Sequence, residues 1–241
     1  MNGTAPTLPP RLAAVALEIL PGSRVADIGS DHGRLPLALA ARGLAAYCLA
    51  TERDGARLAR IARPEAGTPS AARIAYRAGD GLDAILPEDR IDTVVLSGMG
   101  GRTIVRLLAA TGAEGLAIRR LVLQPRSEAV LVRRYLSATG WRPVSERLPS
   151  ERRRFHLTIA AERGDDDALY RHPALDRDDL LAAGPLLVRA RAPELFSVLR
   201  QEVDRLEAIL ARTGSGPSKA RARSGHARAL RVLDAISTRG G

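Results

Sequence analysis

Short apolar segments of five to eight residues alternate with helix-length stretches through the first two-thirds of the chain, and the early segments each stop on a glycine or an acid. The segments run Arg24 to Ile28, Ala46 to Thr51, Arg73 to Ala78, Ile91 to Ser97, Arg120 to Gln124, Trp141 to Leu148 and Arg154 to Ala161. Helical stretches cover 34–42, 54–63, 102–111 and 127–139. Runs such as DTVVLSG and RRLVLQP are apolar without alternation, the pattern of parallel strands buried on both faces by helices. The predicted class is therefore an α/β, Rossmann-like sheet. Only the turn around Pro149-Ser150 separates the last two segments, which predicts an antiparallel hairpin at one sheet edge. An earlier helix over residues 9–20 carries Leu12, Val15, Ala16, Ile19 and Leu20 at helical spacing, and Pro21-Gly22 ends it.

The alternation breaks at residues 164–170, GDDDALY, and everything beyond reads as helix. Leu195, Leu199, Val203, Leu206 and Leu210 share one face of 193–211, and after a GSGPS link Ala229, Leu233 and Ile236 share another. This is an αα-hairpin of coiled-coil character. The expected organisation is a sheet domain over 1–163 and a helical domain over 164–241.

Charge follows the same division. Lys+Arg against Asp+Glu is 11 to 11 over residues 1–101, 12 to 4 over 102–154, 1 to 4 over 155–170 and 13 to 8 over 171–241, so the net +10 lies wholly in the second half. A neutral half followed by a basic one suits a small-ligand site joined to a polyanion-binding surface, because clustered cations release the counterions of phosphates. Lys219 is the sole lysine, which speaks of compositional bias, but bias does not explain segregation. The single cysteine, Cys48, excludes an internal disulfide and a cysteine-based zinc site. The N-terminus lacks a signal-peptide pattern and no apolar run approaches a membrane span. A cytoplasmic protein with no membrane association is expected. His32, His156, His172 and His226 lack mutual metal-ligand spacing, so no metal is expected. Oligomeric state is open, with a monomer the simplest expectation.

In an open α/β sheet, ligands bind where strands end. The first strand runs into Asp27-Ile28-Gly29-Ser30-Asp31-His32-Gly33. A dinucleotide fingerprint would need glycines at 29, 31 and 34, whereas the chain has Gly29, Asp31 and Arg34. Asp31 would repel a pyrophosphate. S-adenosylmethionine carries an ammonium and a sulfonium and no phosphate, so Asp27 and Asp31 suit it, with Gly29 letting backbone approach the ligand. Glu52 ends the second strand where an acid can accept ribose hydroxyls. Asp80 with Gly81 ends the third, where a carboxylate can accept from an adenine amino group. The fourth ends in Ser97-Gly98-Met99-Gly100-Gly101, a floor poor in side chains against which a flat substrate can lie. An exocyclic-amine methylase would place an Asn or Asp, two prolines and an aromatic there, and none is present.

The DIGSDHGRLP, GDGL, SGMGG and LQP elements, in this order and spacing, resemble the bacterial tRNA (adenine 22-N1)-methyltransferase family over residues 11 to about 162. The helical tail, with Gly184-Pro185-Leu186-Leu187, is similar in character. The resemblance implies a class I methyltransferase fold, S-adenosyl-L-methionine as methyl donor, tRNA as partner, N1 of an adenine in the D-arm region as acceptor, and a helical C-terminal domain that holds tRNA. By position it puts Asp27, Gly29, Asp31 and His32 on the cofactor loop, Glu52 on the ribose, Asp80 and Gly81 at the adenine-side turn, and Gly98, Met99 and Gly100 on the acceptor side. Asp31 is the residue placed to ease charge developing on the methylated ring. Glu52 stands where the family has aspartate. Arg34 replaces an aromatic, and Arg126 follows Gln124-Pro125 where asparagine is usual.

Candidate RNA contacts are Arg34, Arg126, Arg133, Arg134, Arg152, Arg153 and Arg154, with Lys219, Arg221, Arg223 and Arg228 on the tail. Stacking partners are few at 3% aromatics. Two other readings stay open at this level: a methyltransferase for another RNA or a small molecule, and a non-catalytic RNA-binding protein on a methyltransferase fold. Product mapping separates the first, and cofactor titration the second.

Overall fold

The structure is a computed structural model, described here for residues 6–62, 71–110, 116–212 and 215–237. Residues 63 and 111, where two predicted helices end, and Gly214 of the predicted link lie outside the described residues. The chain divides into two compact units, Met1–Gly164 and Asp165–Gly241.

The first unit holds strands Ser23–Ile28 (β1), Ala45–Glu52 (β2), Ile74–Ala78 (β3), Thr93–Gly100 (β4), Arg120–Ser127 (β5), Trp141–Arg147 (β6), Ser150–Glu151 (β7), Arg154–Phe155 (β8) and Thr158–Arg163 (β9). Its helices are Pro10–Leu17 (α1), Arg34–Ala41 (α2), Gly55–Ala62 (α3), Gly101–Ala110 (α4) and Ala129–Ala138 (α5). Proline at the first position of α1 loses no hydrogen bond, since that N–H has no partner within a helix. Among the described residues, seven strands form one sheet in the order β3-β2-β1-β4-β5-β9-β6. β1 to β5 run parallel, and β9 is antiparallel to both β5 and β6. The order reverses between β1 and β4, which leaves a crevice at their carboxyl ends.

The unbroken apolar runs are explained by burial on both faces. Val25, Val95 and Val122 pack to one side with Leu12 and Val15 of α1 and Leu35 and Leu39 of α2. Their neighbours Ala26, Leu96, Leu121 and Leu123 pack to the other with Ile104 and Leu108 of α4 and Leu136 of α5. Successive strand side chains point to opposite faces, so a strand covered on both must be apolar at every position.

One predicted element is corrected. The segment Arg154 to Ala161 is not one strand. Arg154–Phe155 pairs with Ser150–Glu151 in a separate two-stranded ribbon, and the sheet strand begins at Thr158. The His156 N–H donates to the Pro149 carbonyl at 2.9 Å and closes the ribbon before the chain enters the sheet.

The second unit is helical: Arg177–Ala183 (α6), Pro185–Arg189 (α7), Pro193–Arg212 (α8) and Pro217–Ser237 (α9). The N-cap Asp176 accepts from the Asp179 N–H at 2.7 Å. Leu195, Leu199 and Leu206 of α8 and Ala222, Ala229, Val232 and Ile236 of α9 are buried. Val232 takes the inward place expected for Leu233, which is half-buried. Asp179 is fully buried and receives Arg231 at 2.6 Å and Arg228 at 3.4 Å, so Arg228 is occupied within the fold. The carboxylates of Asp165, Asp166 and Asp167 lie within 4.8 Å of one another. Arg177 meets Asp166 at 3.8 Å and Asp167 at 3.7 Å, supplying countercharge. No described helix is long and apolar enough to cross a membrane.

Candidate functional site

A cleft of about 570 Å³ opens where β1, β2, β4 and β5 end. Three residues in the loop after β1 are left-handed: Gly29 (φ +69°), Asp31 (φ +52°) and Gly33 (φ +64°). The Ser30 N–H donates to the Thr51 carbonyl at 2.8 Å, tying the loop to the end of β2. A non-glycine residue with positive φ is uncommon, and Asp is among the types that tolerate it. The loop thus leaves the strand sharply and presents Asp31 exposed at the rim.

Asp27 lies at the end of β1 and is only 5% exposed. Its carboxylate accepts from the Ser30 hydroxyl at 2.6 Å. Burial pushes this carboxyl up to about 6, the hydrogen bond from Ser30 opposing the shift. Glu52 is also buried and accepts from the Asp54 N–H at 3.1 Å. The Arg57 guanidinium on α3 stands 3.4 Å from Asp31 and 3.8 Å from Glu52. His32 stands 3.5 Å from Asp31.

The loop after β4 divides its glycines between two tasks. Gly98 is left-handed (φ +72°), with nothing within 4 Å of where a Cβ would stand. A Cβ on Gly101 would lie 2.5 Å from the Glu128 carbonyl oxygen, so backbone approach between α4 and the start of α5 requires glycine there. Met99 lines the cleft, and its Cε would lie 2.7 Å from a Cβ on Gly29. Gln124, at 2% exposure, accepts from the Ser97 hydroxyl at 2.9 Å and donates to the Arg11 carbonyl at 2.8 Å. Arg11 in turn donates its N–H to Glu151 of β7 at 3.2 Å. These bonds hold α1 and the ribbon beside the cleft.

Asp27, Gly29, Asp31, His32, Glu52, Gly98 and Met99 all line this cleft, as do Arg34 and Arg126. Gly100, Asp80 and Gly81 do not. Asp80 is exposed after β3, while Gly81 is buried at φ +62°, with a Cβ there 2.7 Å from Leu107 Cδ2. Arg133 is a correction: it is 1% exposed and donates to Glu146 at 2.7 Å, inside the fold. Helical rotation turns Arg133 inward beside Val132 and Leu136 while Arg134 stays outside. Arg152, Arg153 and Arg154 are exposed, as are Arg221 and Arg223; Lys219 is half-buried.

Arg11, Arg57, Gln124 and His156 line the cleft without having been picked out from sequence. Gln124 carries a readable signal, a polar residue closing an apolar strand before Pro125. The other three arrive through tertiary contact. Arg34 and Arg126 are exposed and have no hydrogen-bond or ion-pair partner among the described residues. Acids under a glycine turn, open backbone after β4 and two free guanidiniums together form a receptacle for a cationic, adenosine-like ligand beside an anionic one.

Comparison with known proteins agrees with this geometry. The sequence matches the tRNA (adenine(22)-N(1))-methyltransferase family over residues 25–232. A Bacillus subtilis protein named tRNA (adenine(22)-N(1))-methyltransferase is 31% identical over 200 residues, covering 83% of this chain and 82% of its own. The crystal structure of the B. subtilis m1A22 tRNA methyltransferase superposes with a TM-score of 0.82 at 27% identity, over 95% of this chain and 99% of that one. A Streptococcus pneumoniae structure in complex with S-adenosyl-L-methionine gives 0.82 at 25% identity, over 94% and 100%. This chain therefore belongs to the tRNA (adenine(22)-N(1))-methyltransferase family.

Proposed function

We propose that this protein methylates N1 of an adenine in tRNA, at position 22 of the D-arm region, with S-adenosyl-L-methionine as donor. The observation that carries the reading is Asp27, a desolvated carboxyl beneath the Gly29 turn at the point where strand order reverses. An acid held there at a cost in desolvation calls for a cationic partner. The remaining side chains fit the same molecule. Asp27 takes the ammonium, Glu52 accepts the ribose hydroxyls and His32 orders the loop; Asp80, on an exposed turn outside the cleft lining, is assigned to the adenine amino group by family position alone. When bound, S-adenosyl-L-methionine supplies an activated methyl group on its sulfonium.

The acceptor side makes modest demands. N1 of neutral adenine has an available lone pair, so the protein must align the base more than deprotonate it. Gly98 and Met99 supply the floor on which an extruded base can lie, with Gly100 behind them against Ser127 and Thr103. The ring gains positive charge on methylation, and Asp31 at the rim offsets it. Arg34 and Arg126 are cations beside a ring that becomes cationic, so their favourable partners are the phosphates of the target strand. Arg134, Arg152, Arg153, Arg154, Lys219, Arg221 and Arg223 extend the phosphate contacts. The setting is the cytoplasm, the working unit a monomer, and no metal takes part.

The reading is tested by calorimetric titration of S-adenosyl-L-methionine into the protein, followed by labelled methyl transfer to unmodified tRNA transcripts. Micromolar binding and transfer to tRNA, both lost in Asp27→Asn, are expected. A protein that binds tRNA but not S-adenosyl-L-methionine would overturn it.

A further inference from the structure

The ribbon of β7 and β8 turns through Arg152 and Arg153, whose φ angles are +50° and +63°. Glu151 pairs with Arg154, so these two residues are the whole loop. Two consecutive positive φ values in a two-residue hairpin are the signature of a type I′ turn, which favours Asn-Gly. Long side chains enter that region against steric resistance, and here two do so in succession. Both are exposed, and neither guanidinium has a hydrogen-bond or ion-pair partner among the described residues. No hydrogen bond or ion pair among the described residues rewards arginine at either place.

The ribbon's position supplies the reason. Glu151, directly before the turn, accepts from the N–H of the cleft residue Arg11 at 3.2 Å, and His156, directly after β8 at the ribbon's base, lines the cleft. We propose that the Arg152-Arg153 turn is a phosphate-gripping arm on the lip of the cleft. It is kept in a strained conformation because that turn projects two guanidiniums toward the RNA strand entering the site. The inference rests on the proposed RNA substrate and adds to it a positioning element whose presence costs the fold stability. Asn-Gly at these positions would therefore make the protein more stable and a poorer RNA binder at once, a pair of effects that a merely structural turn would not produce.

The test uses the full chain carrying Arg152→Asn with Arg153→Gly, beside a control with Arg152→Lys and Arg153→Lys. Thermal unfolding and the binding of a fluorescent unmodified tRNA transcript across a salt series are measured for both. Binding is read without methyl transfer, so it does not depend on the cofactor half of the reading. The Asn-Gly variant should melt about 3–6 °C higher. It should bind tRNA about tenfold more weakly at physiological salt, with a salt slope smaller by about 2. The lysine control should keep the slope of the parent protein. Unchanged affinity and slope in the Asn-Gly variant would overturn the proposal, and so would a lower melting temperature.

Discussion

In the body of the sheet, Arg77 reaches Asp89 at 2.5 and 3.0 Å, Arg120 reaches Glu18 at 3.0 Å and also pairs with Glu162, and Arg133 reaches Glu146 at 2.7 Å. Arg24 and Arg163 lie over the rings of Tyr47 and Trp141 at 4.2 and 4.0 Å. At the carboxyl end of the same sheet, Arg34 and Arg126 have no partner among the described residues, and the buried carboxyl of Asp27 has a hydroxyl where a cation would serve it better. One residue type meets two fates within about 160 positions. Where arginine sits in the packed body, an acid or an aromatic ring satisfies it and its loss would be felt in stability. Of the arginines that line the cleft, Arg57 meets Asp31 and Glu52 and Arg11 meets Glu151, whereas Arg34 and Arg126 are left free, and the loss of these two would be felt by a ligand.

The comparison is most exposed to failure at Arg133. Glu146→Ala leaves a buried guanidinium without its carboxylate and should destabilise the protein by about 3–5 kcal/mol. For a unit of this size, thermal unfolding should then show the melting temperature lower by about 10 °C. A drop of only a degree or two would mean that the pair is not a structural one.

Asp27 provides the counterpart in the cleft. Its carboxyl is raised from 3.8 to about 6 in the folded protein, so between these values the folded state holds the proton more tightly than the unfolded chain does. Stability from this group is therefore full at low pH and declines as pH rises from about 4 to 6, with a loss on the order of 2–3 kcal/mol. Asp27→Asn should thus stabilise the ligand-free protein above pH 6 and abolish cofactor binding. In the parent protein, affinity for S-adenosyl-L-methionine should fall about tenfold per pH unit below 6, because binding requires the ionised acid. Calorimetry across pH 5–8 checks both signs.

How much of this was readable depended on distance along the chain. The parallel sheet, the acid-ended strands and the glycine loops after β1 and β4 are written in contiguous residues, and the apolar runs carry their own evidence of two-sided burial. The fate of Arg133 depends on Glu146 in the strand that follows its helix, and on a helical rotation that a reading of Arg133-Arg134 as one basic pair ignores. The ribbon was hidden because strands of two residues have no period to detect. Arg11, Arg57 and His156 reach the cleft through tertiary contact alone. The sequence did place Arg34 and Arg126 at strand and helix boundaries, but that they stand free emerges only from the folded structure, in which Asp31 and Glu52 face Arg57 and Glu128 faces Arg102.

Smaller effects sharpen the contrast further. Arg34→Gln and Arg126→Gln should each leave stability within about 0.5 kcal/mol of the parent. Each should raise the KM for tRNA roughly five- to tenfold and reduce the salt slope by about 1, with cofactor affinity unchanged. Equal loss of kcat at saturating tRNA would instead place them on the reacting base. The least visible change concerns Cys48, which is 1% exposed and whose thiol is pushed up to about 12 by burial and by the charge of Asp27. It should resist thiol reagents in the native protein and react promptly after denaturation.

The central claim is that this cleft methylates one ring nitrogen of one tRNA base. The direct measurement is to incubate the protein with S-adenosyl-L-methionine and unmodified transcripts of several tRNAs, then locate the product by mass spectrometry and by reverse-transcription stops, since methylation at N1 blocks the pairing edge. The account predicts a single N1-methyladenine at position 22, absent when that adenine is replaced. Methyl groups at another position, or on an exocyclic amine, would contradict it.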